Sequence, residues 1–191
     1  LPVFPLPGVL LLPRGRLPLN IFEPRYLNMI EDALGHGRIF GMVQPRAAGD
    51  EDEPVADAAP LYDIGCAGRI TSFAETDDGR ILITLLGLTR FRIKAEVAPL
   101  GGYRRVTADA TGFAADRTPE TQPIEGREAL LLAAKKLFTA RGFELDWKAL
   151  AGAPDEPLIT AFAMIAPLEV AEKQALLETP TLGQRASTLA T

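Results

Sequence analysis

Residues Leu17 to Leu34 read LPLNIFEPRYLNMIEDAL, and they pass from one structural period to another with almost no loop between. Leu17, Leu19 and Ile21 alternate with Pro18, Asn20 and Phe22, the two-residue period of a strand beside a core. Pro24 follows where the first turn of a helix tolerates proline, because the amide it lacks would be unpaired there anyway. Tyr26, Leu27, Ile30 and Leu34 then recur at helical spacing, and Gly35 offers a stop. A strand running straight into a helix is therefore expected. Phe22 with Tyr26 or Leu27 is placed to form a hydrophobic staple, and Arg25 to pair with a carboxylate or cap carbonyls.

Outward from this junction, strand signals continue as far as Phe113. Ile39 to Val43 is a short apolar run after a Gly35-His36-Gly37 turn. Tyr62, Ile64, Cys66 and Ile70 share one parity, as in a half-buried strand. Asp77-Asp78-Gly79 is a hairpin turn that accepts positive φ. Ile81, Ile83 and Leu85 follow, with Leu82 and Leu86 on the opposite face, so a central strand is expected, bent or bulged at Gly87. Tyr103 to Thr111 supplies one more. Between them, Gln44 to Pro60 is acidic and lacks aromatic residues, which predicts a mobile surface loop; an acidic docking segment is the alternative use of such a stretch.

Past Phe113 the period changes. Asp116 to Pro123 is polar with two prolines and reads as a linker. Glu125 to Arg141 carries a helical stripe of Leu130, Leu131, Ala134, Leu137 and Phe138. Phe143 to Leu150 is a short piece holding Trp147. Asp155 to Ile165 restarts a helix behind Pro154, and Pro167 opens another that runs to Glu178. Thr181 and Gln184 match a capping box. The expected architecture is α+β: a β-rich subdomain over 1–115, forming a partly closed barrel with one packed helix, and a helical bundle subdomain over 116–191.

Composition narrows the function. With 191 residues and 47% hydrophobic content, a substantial core forms without staples. A lone cysteine, Cys66, excludes an intramolecular disulfide and permits a reducing compartment. The longest apolar runs are far too short to span a bilayer, so a cytoplasmic protein is expected. A net charge of −5 disfavours a general nucleic-acid binder. One local exception is Arg90, Arg92 and Lys94, which alternate with Phe91 and Ile93 and would put three positive charges on one strand face. A solvated sheet face is the favoured reading, and an RNA-binding stripe the alternative.

No constellation argues for catalysis, and no cofactor or metal ligand set is expected. The only histidine is His36, in the Gly35-His36-Gly37 turn, and the only serines are Ser72 and Ser187. Cys66 has the strand parity of a small core residue. One His and one Cys make no zinc spacing, and Asp50 to Glu53 lacks a calcium-loop frame. Residues considered for binding are instead Phe22, Arg25, Phe143, Trp147 and Phe162: aromatic side chains of the junction and of the helical half, with Arg25 better explained structurally.

Several strings, in order, resemble one family. They are Leu1-Pro2-Val3-Phe4-Pro5-Leu6, Leu19-Asn20-Ile21-Phe22-Glu23-Pro24-Arg25-Tyr26, Ile64-Gly65-Cys66-Ala67-Gly68-Arg69-Ile70, Asp78-Gly79-Arg80, Gly87-Leu88-Thr89-Arg90-Phe91-Arg92-Ile93, and Lys173-Gln174-Ala175-Leu176-Leu177-Glu178 followed by Arg185. Together they resemble the amino-terminal, substrate-binding domain of the Lon ATP-dependent proteases, whose sheet is PUA-like. The resemblance implies a free-standing binding module, since no glycine is followed by lysine and a phosphate loop of the G-x-x-x-x-G-K-[ST] kind is impossible here. It carries over no catalytic residue. The partner it implies is unfolded or partly unfolded polypeptide, held weakly and salt-tolerantly, with service to a protease as one use. The alternative is a PUA-like RNA-binding protein using the Arg90, Arg92 and Lys94 face.

Overall fold

A strand, β1 (Pro2–Pro5), precedes the junction, and the junction itself forms β2 (Arg16–Ile21) followed at once by α1 (Pro24–Gly35). The computed structural model describes residues 1–46, 59–121, 123–140, 142, 144 and 146–190. Most of the acidic stretch, residues 47–58, and Phe143 therefore lie outside the described residues. Pro24 sits in the first turn of α1 behind Glu23 as N-cap. The buried face is Tyr26, Met29, Ile30 and Ala33, so the stripe lies slightly round the helix from the predicted one, with Leu27 and Leu34 only partly buried. Gly35 is the last helical residue rather than the stop. The chain turns at Gly37 (φ 85°) and Arg38 (φ 62°), and the Arg38 amide donates to the Ala33 carbonyl at 2.7 Å.

Four further strands, β3 (Ile39–Val43), β4 (Ile64–Glu75), β5 (Ile81–Leu100) and β6 (Tyr103–Asp109), complete a six-stranded sheet of order β2-β5-β4-β3-β1-β6. β5 also pairs with β6, so the ladder closes on itself, and β2 is left as an appended edge strand. The length of β5, 20 residues, makes this possible. Its first part pairs with β2 and β4, and its last part with β6. Val3, Val43, Ala67, Phe91 and Val106, one from each strand of the ring, form a single cluster that fills it. Phe91 needs glycines opposite: a Cβ on Gly41 or Gly65 would approach its ring to 2.6 or 2.8 Å. Gly87 marks the bulge. Its amide donates to Gly15, its carbonyl accepts from Arg14, and a Cβ there would stand 2.0 Å from the Leu12 carbonyl oxygen.

The other face of the ring carries the main core. α1, the Leu10-Leu11-Leu12 segment and residues from the C-terminal helices pack on Phe40, Met42, Cys66, Ile70, Ile83 and Leu85. After a 3-10 helix (Thr111–Arg117) come α2 (Arg127–Ala140), α3 (Trp147–Ala151), α4 (Asp155–Ile165), α5 (Val170–Glu178) and α6 (Leu182–Leu189). α5 begins three residues later than the Pro167 start predicted, because Ala166 to Glu169 is needed to turn the corner; Glu172 accepts the Glu169 amide at 2.8 Å and caps the true start. Asp146 caps α3 by accepting from the amides of Lys148 and Ala149. Thr181 caps α6 through the Gln184 amide. Among the described residues no helix is long and apolar enough to cross a membrane.

Candidate functional site

The residues predicted for binding fall in two separate places. Phe22 ends the β2 ribbon, 61% exposed, with the Arg80 guanidinium 5.7 Å from its ring centre. The core cluster that Tyr26 joins does not include Phe22, and Tyr26 stacks on Phe4, with ring centres 4.1 Å apart. Arg25 bonds Glu23 (Nε to Oε2, 3.0 Å), lies 4.7 Å over the Tyr26 ring, and packs beside Gly102 in the β5–β6 turn. Trp147 and Phe162 belong to the helical half, their rings 6.4 Å apart. Phe162 is 3% exposed and also faces Phe138, so it meets a client only if the helices open.

The groups weighed for chemistry are dispersed. Cys66 is fully buried in the main core, and burial pushes its thiol well above the usual range. His36 is exposed, with Nδ1 2.8 Å from the Asp32 carbonyl oxygen. Ser187 donates to the Gly183 carbonyl, and Ser72 lies exposed on β4. Among the described residues no group of His, Cys, Asp or Glu could hold a metal ion.

Arg90 corrects the basic-stripe reading. It is 4% exposed and points away from solvent. Its Nε and Nη2 bond both oxygens of Asp116, and its Nη1 donates to the carbonyls of Leu177 and Thr179 at 3.1 and 2.7 Å. Asp116, read from sequence as the start of a linker, is 6% exposed and also accepts the Arg90 amide. Arg185 completes the cluster, donating to the Leu176 carbonyl at 3.0 Å; burial, and then the neighbouring Arg90 charge, lowers its pKa to about 10. Of the predicted stripe, Arg92 remains exposed and Lys94 bonds Asp109 at 3.1 Å.

Exposed apolar side chains and two hollows gather around β2. β5 is a central strand between β2 and β4, as its two apolar sides predict, yet Leu82 on one face of this β2–β5–β4 arm is 44% exposed. Pro18, Asn20, Ser72, Ala74, Leu82 and Thr84 line a shallow depression of about 400 Å³ there. On the other side of β2 a second hollow of about 400 Å³ separates it from α4, lined by Leu17, Pro18, Pro157, Met164 and the 55% exposed Ile165. Among the described residues β2 pairs only with β5, so its outer edge carries backbone groups unmatched by any described strand. Pro18 leaves the β2–β5 ladder intact when its nitrogen faces that open edge. Sequence reasoning found Phe22 and the strand but missed Leu82 and Ile165, since alternation shows which residues share a face and not whether the face is covered.

Comparison with known proteins gives a consistent result. Residues 1–190 match the family described as the ATP-dependent protease La (LON) substrate-binding domain. Lon protease 2 of Myxococcus xanthus is 31% identical over 97% of this chain, and Lon protease of Escherichia coli (strain K12) 25% identical over the same share. The chain spans 22% and 23% of those two proteins. Among solved structures, a Lon N-terminal domain protein from Xanthomonas campestris has a TM-score of 0.67 at 24% identity, covering 99% of this chain and 95% of that one. The N-terminal domain of Mycobacterium avium complex Lon protease has a TM-score of 0.61 at 20% identity, covering 98% and 94%. The fold is shared with both, and the match along residues 1–190 shows that this chain belongs to the family of Lon substrate-binding domains.

Proposed function

We propose that this domain holds unfolded polypeptide without acting on it chemically, and offers it to a protease. One observation carries the reading: among the described residues, an exposed apolar sheet face stands beside a strand edge with no partner strand, both belonging to β2 and its neighbours. Backbone pairing at an edge gives affinity that no side-chain sequence controls, and a hydrocarbon floor adds a nonspecific apolar term. Such a combination suits a module that meets many clients. The buried thiol of Cys66 suits a reducing, cytoplasmic setting. The RNA-binding alternative is weakened by the loss of Arg90 from the exposed stripe.

The test is fluorescence anisotropy with a reduced, alkylated and therefore permanently unfolded protein. Leu82→Asp places a charge on the floor at a position already exposed, so the fold tolerates it. About a tenfold loss of affinity is expected, in line with one apolar contact removed and one charge desolvated. Equal binding by wild type and Leu82→Asp would remove the sheet face from the reading. A wild-type protein that binds structured RNA tightly at low salt, and no unfolded protein at all, would favour the alternative.

A further inference from the structure

Arg16, Leu86 and Arg69 lie side by side on three neighbouring strands. Arg16 pairs with Leu86 across β2 and β5, and Leu86 pairs with Arg69 across β5 and β4. Directly opposed residues of an antiparallel ladder project from the same face. Both residues therefore project from one end of this face, their backbones roughly 10 Å apart, two strand spacings, and Arg16 also borders the hollow toward α4. Both residues are exposed, and among the described residues neither is bonded to a carboxylate. Glu156, which lines the hollow on the groove side, is already bonded to Arg14.

The opposite end of the face is different. Arg80 is neutralised there by Asp78 at 2.9 Å and covers Phe22. Between the ends lie Pro18, Ala74 and Leu82, which offer hydrocarbon. The face thus has an apolar middle and uncompensated positive charge at one end only, on a chain whose net charge is −5.

Resting on the polypeptide-binding reading above, we propose that the segment preferred here is acidic as well as apolar: a short extended apolar run with Asp or Glu at the end that meets Arg16 and Arg69. Carboxylates there gain two cationic partners without stripping either from an existing pair. Lysines at the same place meet like charge. A nucleic acid is a poorer match, since phosphates recur along its whole length and the middle of this face has nothing to neutralise them.

Three fluorescent peptides with one common apolar run, ended by two aspartates, two asparagines or two lysines, test this by anisotropy at low and high salt. The aspartate peptide should bind roughly five- to tenfold tighter than the asparagine peptide at low salt, as two exposed ion pairs allow, and the lysine peptide more weakly. High salt should erase the difference and leave the shared apolar affinity. The exposed, unpaired positions make Arg16→Gln with Arg69→Gln a safe double variant. It should lose the preference and keep the asparagine peptide. Equal binding of all three peptides by wild type, or a preference that survives in the double variant, would overturn the acidic specificity while leaving the polypeptide reading intact. No binding of any peptide, or displacement of the aspartate peptide by an oligoribonucleotide at lower concentration than by its own unlabelled form, would overturn both.

Discussion

Arg90 and Asp116 show what a single side chain can hide. Each looks ordinary in sequence: one alternates with apolar neighbours on a strand, the other opens a polar stretch with two prolines. Their meaning comes from each other and from the end of α5, where the carbonyls of Leu177 and Thr179 have no intrahelical partner and take the Arg90 donors instead. Periodicity reports which way a residue faces in its own element. It carries no information about a carboxylate 26 positions away or carbonyls 87 and 89 positions away. Removing one partner leaves the other charge buried, so Asp116→Ala should cost about 3 to 5 kcal/mol in urea denaturation. Replacing both by apolar residues, Arg90→Met with Asp116→Leu, should recover only part of that, since the Leu177 carbonyl loses its Arg90 donor while Thr179 keeps only the Arg185 one. Full recovery would show that the pair, and not the capping of α5, is what matters.

At the level of elements, local chemistry decided most boundaries. Pro24 with its missing amide, Gly79 at φ 80° in the β4–β5 turn, and Pro154 ahead of α4 all act within a few residues, and so were visible in sequence. The late start of α5 was not, because Pro167 is as good a first residue as any until the corner beginning at Ala166 takes it. Phe162 was considered for binding and is a wedge between α2 and α3, where its neighbours Phe138 and Trp147 come from other elements. Gly87 was read as a bend, which it is, but the stronger reason for a glycine is the Leu12 carbonyl oxygen lying where a Cβ would go. Gly87→Ala should therefore destabilise by about 3 kcal/mol, as the strand and the Leu10–Leu12 segment are forced apart. Gly112→Ala, with open space around it, should change stability by no more than about 0.5 kcal/mol. Equal melting shifts for the two would refute the steric account.

For the molecule as a whole, we propose that residues 1–115 and 116–191 are subdivisions of one cooperative unit. Leu176 and Leu177 of α5 share a cluster with Phe40 and Ile83 of the ring, and the Arg90 and Asp116 bonds cross from one half to the other. A fragment of residues 1–115 should bind a hydrophobic dye and lack a sharp thermal transition, while the entire chain melts in one step seen alike by tryptophan fluorescence and circular dichroism. Trp147 reports on the helical half, so two separate transitions would mean independent folding. The ring also sets an order in time. β1 pairs with β3 on one side and with β6 on the other, Val3 lying between Gly41 and Arg104. During synthesis β1 is the first of the six strands to leave the ribosome, yet its second neighbour, β6, is the last of them. Until residues 103–109 emerge, β1 has one edge bare and the Phe91 cluster lacks a wall. The domain thus passes much of its own synthesis with an open strand edge, which a chaperone or a neighbouring nascent chain can occupy.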